Sequence, residues 1–177
     1  DCTVVECGDR EVLVLSTDLL VEDVHSLRSA SRPEQVAHKS LMVNLSDVAA
    51  MGARPVATLL SLALPASVQQ QWAKSFMEGY YEASKRYGVA LVGGDTTAST
   101  DKIAINVVAI GRAKRDCVKR RSAARVGDAI CVTGKLGTSS KGLVDIMFGD
   151  LTTTAAKIHS MAQARVEEGI VLGAQRA

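Results

Sequence analysis

The sequence predicts an α/β protein of the α+β kind: a mixed α/β domain over residues 1–113, then a linker and the opening of a second α/β domain over residues 114–177. Three observations carry this prediction. β-Branched apolar runs alternate with stretches of helical period, in the order β-α-β-α-β-β and then β-α-α. Glycines close the first two helical stretches, Gly52 after one and Gly88 after the other. A basic, loop-like stretch at residues 114–125 separates the two parts.

Each element has its own signal. Residues 12–21, VLVLSTDLLV, are aliphatic and β-branched and read as a buried strand. Ser31-Arg32-Pro33-Glu34 reads as a helix start, with Ser31 as the cap and Glu34 three residues on. That helix runs to about Met51, with Leu41, Leu45, Val48 and Ala49 as its apolar stripe. Residues 56–64 form a second strand, ended by Pro65. Ser67 caps a helix that reaches Tyr87. Residues 89–92 are a short strand running into Gly93-Gly94-Asp95, and residues 103–110 are another strand. Beyond the Gly127-Asp128 turn, residues 129–133 read as a strand, and residues 137–147 and 166–174 as helices. No internal repeat or low-complexity tract interrupts this order.

Composition narrows the function classes. The chain is 47% hydrophobic but only 3% aromatic, so its core is expected to be aliphatic. A formal net charge of +2 supports neither a nucleic-acid nor a membrane-surface partner. The basic stretch at 114–125 lacks the interleaved aromatics of a single-strand binder and reads as a solvated or phosphate-facing loop. Cys2, Cys7, Cys117 and Cys131 form no C-x-x-C pair and read as reduced thiols. The longest apolar stretch, 56–64, is too short to span a bilayer. No secretory leader is seen at the start, so the cytoplasm is the expected location. The first residue is Asp1 and the last residues still read as helix, so both ends read as cuts.

Four acids stand out. Asp18 interrupts an apolar strand, where an unpaired carboxylate costs several kcal/mol. Strand periodicity puts Ser16 and Asp18 on one face and Thr17 on the other. That face offers hard oxygen ligands suited to magnesium, and a strand-end Asp making turn hydrogen bonds stands beside this as an equal reading. Asp47 shares a helix face with Asn44, and taken alone the pair reads as a solvated face. Asp95 follows two glycines at the expected end of a short strand, where α/β proteins bind ligands and where glycine lets a ligand approach the backbone; a glycine turn is the plainer reading. Asp1 is the fourth. Their meeting around metal ions and a polyphosphate would account for all four. No G-x-x-x-x-G-K-[ST] loop and no protein-kinase motif set occurs, so acids and metals would have to hold any ATP.

Three runs carry a resemblance: Ser16-Thr17-Asp18-Leu19-Leu20-Val21-Glu22-Asp23-Val24-His25, His38 to Ala53 with its Asn44-Leu45-Ser46-Asp47 centre, and Gly93-Gly94-Asp95-Thr96-Thr97. Together they resemble the thiamine-monophosphate kinases, within the wider family of aminoimidazole ribonucleotide synthetase and selenophosphate synthetase. The resemblance implies a mixed sheet with helices on one face, pairing with a second copy into a barrel. It implies Asp1, Ser16, Thr17, Asp18, Asp47 and Asp95 as magnesium ligands, and Tyr87, Gly94, Asp95 and Arg121 as nucleotide contacts. It implies His25 as a contact to the thiamine phosphate. Departures are Ala98, where the family carries Arg, Ala123 within Arg121-Ser122-Ala123-Ala124, and Ser26 after His25. The implied activity is ATP-dependent phosphorylation of thiamine monophosphate to the diphosphate in a homodimer, with magnesium and no catalytic side-chain nucleophile. A sister enzyme that activates an amide or selenide with ATP, or a truncated dimerisation module, are the alternatives.

Overall fold

A hairpin opens the chain. In the computed structural model, which describes residues 2–175, β1 (Thr3–Cys7) pairs antiparallel with β2 (Glu11–Val21) across a tight loop whose Gly8 takes φ 79°. After a loop, α1 (Pro33–Ala50) leads into β3 (Arg54–Pro65), α2 (Gln70–Tyr87), β4 (Ala90–Ser99) and β5 (Ala104–Lys114). The five strands form one mixed sheet in the order β1-β2-β5-β3-β4. All neighbours are antiparallel except β3 and β4, which are parallel and joined by the α2 crossover.

Both long helices lie on one face of the sheet. α1 packs across β2, β5 and β3, and α2 lies beside α1 and against β4. The alternation of the strands turns Val12, Val14 and Leu20, Ile105 and Val107, and Leu60 and Leu62 into this layer, where they meet Leu41, Leu45 and Val48 of α1. The core is mainly aliphatic, as its composition predicts. The few aromatics are concentrated on one side of α2, where Trp72, Phe76 and Tyr80 stack at four-residue spacing with centroids 5.4 and 6.3 Å apart. Phe76 and Tyr80 are the largest fully buried side chains, and the Tyr80 hydroxyl donates to Thr58 Oγ1 at 3.0 Å.

Several boundaries differ from the sequence expectation, each for a local reason. Strand β1 was not anticipated: Thr3–Cys7 has only one alternation of exposure, so its pattern is weak. α1 is capped at Arg32, not Ser31, and the Arg32 N–H donates to Gln35 Oε1 at 2.9 Å. α2 starts after Gln69, because the Ser67 hydroxyl is engaged by Arg28 instead. Gly88 closes α2 at φ 64°, as its position predicts. β4 does not stop at Val92 but runs on through Gly93-Gly94-Asp95-Thr96-Thr97, held by β3 along its length. Residues 129–133 form no strand; Ile130 and Val132 are exposed and no described strand pairs with them.

The remainder is helical: α3 (Thr138–Met147), an unanticipated α4 (Thr154–Ser160) packed against it, and α5 (Val166–Ala174), which docks on α1 and β3. Among the described residues no helix is long and apolar enough to cross a membrane.

Candidate functional site

The first cluster is built by one strand and one helix. Ser16 and Asp18 of β2 lie opposite Ala109 and Val107 of β5, on the face covered by α1, as strand periodicity predicts. From α1, Asp47 reaches down to this face and its Oδ2 accepts the Ser16 hydroxyl at 2.8 Å. The Asp18 carboxyl is held above the ordinary carboxylate range, by burial first and by the neighbouring Asp47 charge second, with His25 partly offsetting both. The Cys2 thiol next to them is raised as well, by burial and then by Asp47. Among the described residues neither Asp18 nor Asp47 has a Lys or Arg partner.

Two facing carboxylates and a hydroxyl, without a protein cation, form a hard oxygen donor set that fits magnesium. Among the described residues no group of three or more His, Cys, Asp or Glu side chains is arranged to hold a metal. A divalent ion held by Asp18 and Asp47 would therefore complete its shell from water and phosphate oxygens, as magnesium commonly does.

The other expected site residues fall elsewhere. Thr17 points to the open face of the sheet, where its hydroxyl donates to Asn106 Oδ1 at 3.1 Å. Asn44 does not belong to a solvated helix face: it is fully buried, its amide donates to the Ser40 carbonyl at 3.0 Å, and its Oδ1 has no partner. Asp95 is on β4, at the far side of the sheet, with β5 and β3 between it and β2. Its register partner is Ser61, which pairs in turn with Asn106, so Asp95 shares the open face and not the face of Asp18. The Asp95 Oδ1 accepts the Thr96 N–H at 2.8 Å.

Gly94 has a packing reason. A Cβ there would lie 1.7 Å from the Leu60 carbonyl oxygen, so the parallel β3–β4 pairing itself demands glycine. Beside it, Tyr81, Met77 and Leu91 line an open groove of about 470 Å³ that includes Asp95. Tyr87 ends α2 with its hydroxyl 3.5 Å from the Ala164 carbonyl and the Arg86 guanidinium over its ring. Arg121 is exposed in a short 3₁₀ turn, Arg121–Ala123. Asp1 lies outside the described residues.

His25 stands beside the Asp18–Asp47 cluster. Its loop is tied down from several sides. The Val21 N–H donates to His25 Nδ1 at 3.1 Å, so the neutral ring carries its hydrogen on Nε2. Asp23 takes φ 65°, and its N–H donates to the Ser26 carbonyl at 2.8 Å. Buried Glu22 accepts from the Ile103 N–H at 3.0 Å and pairs with Arg28 at 2.6 Å. The loop forms one wall of a cavity of about 410 Å³, with Lys39 of α1, Leu143 and Met147 of α3 and His159 of α4 on the others. Lys39 lies within the His38–Ala53 run but was not anticipated as a site residue, and neither was His159.

A strand acid and a helix acid meeting on the covered face of a mixed sheet, with a glycine-acid run on its far strand, define a class. The chain belongs to the AIR synthase related protein family, whose N-terminal domain matches residues 1–113. Within that family it is similar to the thiamine-monophosphate kinase of Buchnera aphidicola subsp. Acyrthosiphon pisum, at 36% identity over 97% of this chain and 54% of the relative. It is also similar to the thiamine-monophosphate kinase of Bacillus subtilis, at 40% identity over 73% of this chain and 40% of the relative. Among solved structures, AaThiL complexed with AMPPCP and TMP superposes with a TM-score of 0.89 at 34% identity, covering 98% of this chain and 56% of that one. The chain thus spans about half the length of the curated relatives it matches.

Proposed function

We propose that the protein is a cytoplasmic thiamine-monophosphate kinase, transferring the γ-phosphoryl group of ATP to the phosphate of thiamine monophosphate. The observation that carries this reading is the pair Asp18–Asp47: the Asp47 charge helps hold the Asp18 carboxyl above its ordinary range, Asp47 accepts the Ser16 hydroxyl, and neither acid has a described Lys or Arg partner. The named activity of the relatives supports it. A phosphate oxygen of the acceptor is already deprotonated and attacks the γ-phosphorus in line, so no side-chain nucleophile is required. Asp18, Asp47 and Ser16 are the residues that would hold magnesium, which when bound offsets the crowding of phosphate charge. His25, with a hydrogen on Nε2, would donate to the acceptor beside them. Tyr87, Gly94, Arg121 and Asp95 are assigned to the nucleotide on the strength of their motif positions.

We further propose a homodimer in which Asp95 comes from the partner subunit. Two described strand edges support it. β1 pairs with β2 only as far as Leu15, leaving Ser16–Val21 without a neighbour on that side among the described residues. β4, at the opposite end of the sheet, has no neighbour beyond it among the described residues. Pairing β4 of one copy with this part of β2 in another closes both edges and sets the strand that carries Asp95 beside the strand that carries Asp18 of the other chain. Leu19 of β2 and Val92 of β4, exposed large apolar side chains, would be covered by such a contact.

The test is product analysis. The full-length protein incubated with ATP, magnesium and thiamine monophosphate is expected to form thiamine diphosphate, and Asp18→Asn to reduce turnover by a hundredfold or more, roughly the loss of 3 kcal/mol of transition-state stabilisation. A folded full-length protein that consumes ATP only with a different acceptor would move the assignment to a sister enzyme. One that consumes no ATP would leave a dimerisation module.

A further inference from the structure

The cavity beside the acid pair is electrically one-sided. Lys39 is half-buried and its ammonium makes one described polar contact, donating to the His25 carbonyl at 2.7 Å. An ammonium has three hydrogens to give, so donors remain. The acids near it are engaged elsewhere: Asp23 is paired with Lys102, and buried Glu22 with Arg28. Across the cavity, His159 Nδ1 lies 3.0 Å from the Ser139 hydroxyl oxygen and 3.1 Å from the Ser139 carbonyl oxygen. Burial, and then the Lys39 charge, push the His159 ring below its ordinary value, while burial alone lowers Lys39.

A half-buried ammonium without a counter-charge is costly, and an anion entering the cavity would offset that cost. Val36, Leu143, Ile146 and Met147 give this cavity of about 410 Å³ an apolar side, beside polar Ser26, Ser31, Gln35 and Ser160, which suits the flat body of a small heteroaromatic ligand with polar edges. We propose that Lys39 is the cation that receives the phosphate monoester of the acceptor in this cavity, orienting it toward Asp18 and Asp47 while the apolar wall from α3 holds the acceptor's body. The inference rests on the kinase reading for the identity of the acceptor, and it assigns the phosphate to a residue that the resemblance did not single out.

The experiment is calorimetric titration of the full-length protein with thiamine monophosphate and with thiamine, in the absence of nucleotide. The wild type is expected to prefer the monophosphate by about tenfold to a hundredfold, the worth of one charge-assisted contact. Lys39→Met is expected to lose that preference and bind both compounds alike, and Lys39→Arg to keep most of it. A second measurement needs no variant: acetylation of Lys39 in the wild type, followed by mass spectrometry, should slow about tenfold with thiamine monophosphate and not with thiamine. A folded Lys39→Met protein that keeps its preference, or Lys39 acetylation indifferent to the monophosphate, overturns the assignment even if the enzyme makes thiamine diphosphate. Protection of Lys39 by the monophosphate in a protein that makes no thiamine diphosphate would keep the phosphate contact and remove the kinase reading instead.

Discussion

At the scale of single residues, Asp18 has a consequence for stability with a definite sign. Its carboxyl is raised in the folded protein by burial and by Asp47. The folded state therefore holds this proton more tightly than the unfolded chain does. Stability from this group is fully present below the unfolded value and is lost as pH rises through the folded one. At neutral pH the ionised pair opposes folding, and a divalent cation reverses the opposition. Asp18→Asn is therefore expected to raise the melting temperature of the metal-free protein at pH 7 by up to about 2–4 °C, and to abolish most of the further rise that magnesium gives the wild type. Thermal scans with and without magnesium read both effects; a variant that melts lower than wild type without metal would show that the carboxylate is satisfied by the protein itself. Asp18 was legible in the sequence because a charge inside VLVLSTDLLV has to be explained energetically. Lys39 and His159 were not, since one lysine on an amphipathic helix and one histidine after a loop are ordinary until tertiary contacts remove their counter-charges.

At the scale of elements, the crossing of α1 and α2 hinges on Gly79. A Cβ at that position would lie 2.6 Å from Glu34 Cα and 2.8 Å from Glu34 Cβ, so the helices approach through the missing side chain. Gly79→Ala gains about 1 kcal/mol of helix propensity but forces two packed backbones apart, an overpacking cost of about 1–3 kcal/mol. The expected outcome is a lower urea midpoint with an unchanged slope, and a midpoint at or above wild type would mean that the crossing can relax freely. The same physics limits what pattern reading can find. Strand β2 and helices α1 and α2 were legible because their apolar period is long and their stops, Gly52 and Gly88, are strong. β4 was cut short because Gly93-Gly94 reads as a turn, whereas the glycines serve the close parallel pairing with Leu59 and Leu60. Residues 129–133 have strand composition, yet composition cannot supply a paired neighbour.

At the scale of the whole molecule, the sheet order decides how the acids can combine. β2 and β4 are separated by β5 and β3, three strand spacings or about 14 Å, and Asp95 faces away from the layer that holds Asp18 and Asp47. One chain alone therefore separates acids that its motifs suggest should act together. A twofold pairing of the free half of β2 with β4 of a second copy creates two equivalent sites, each with Asp18 from one chain and Asp95 from the other. This arrangement predicts complementation between inactive proteins. Full-length Asp18→Asn and Asp95→Asn homodimers should each be nearly inactive, because every site lacks one acid. In a mixed dimer the two defects fall in the same site and the second site is intact. Random exchange of subunits makes half of the dimers mixed, so activity should return to about one quarter of wild type. Unfolding and refolding the two variants together, then assaying thiamine diphosphate, reads this directly. Recovery would fix the site as shared between subunits. If the refolded mixture contains mixed dimers and stays inactive, Asp18 and Asp95 act in the same subunit's site or at separate sites, and the edge pairing proposed for β4 is wrong.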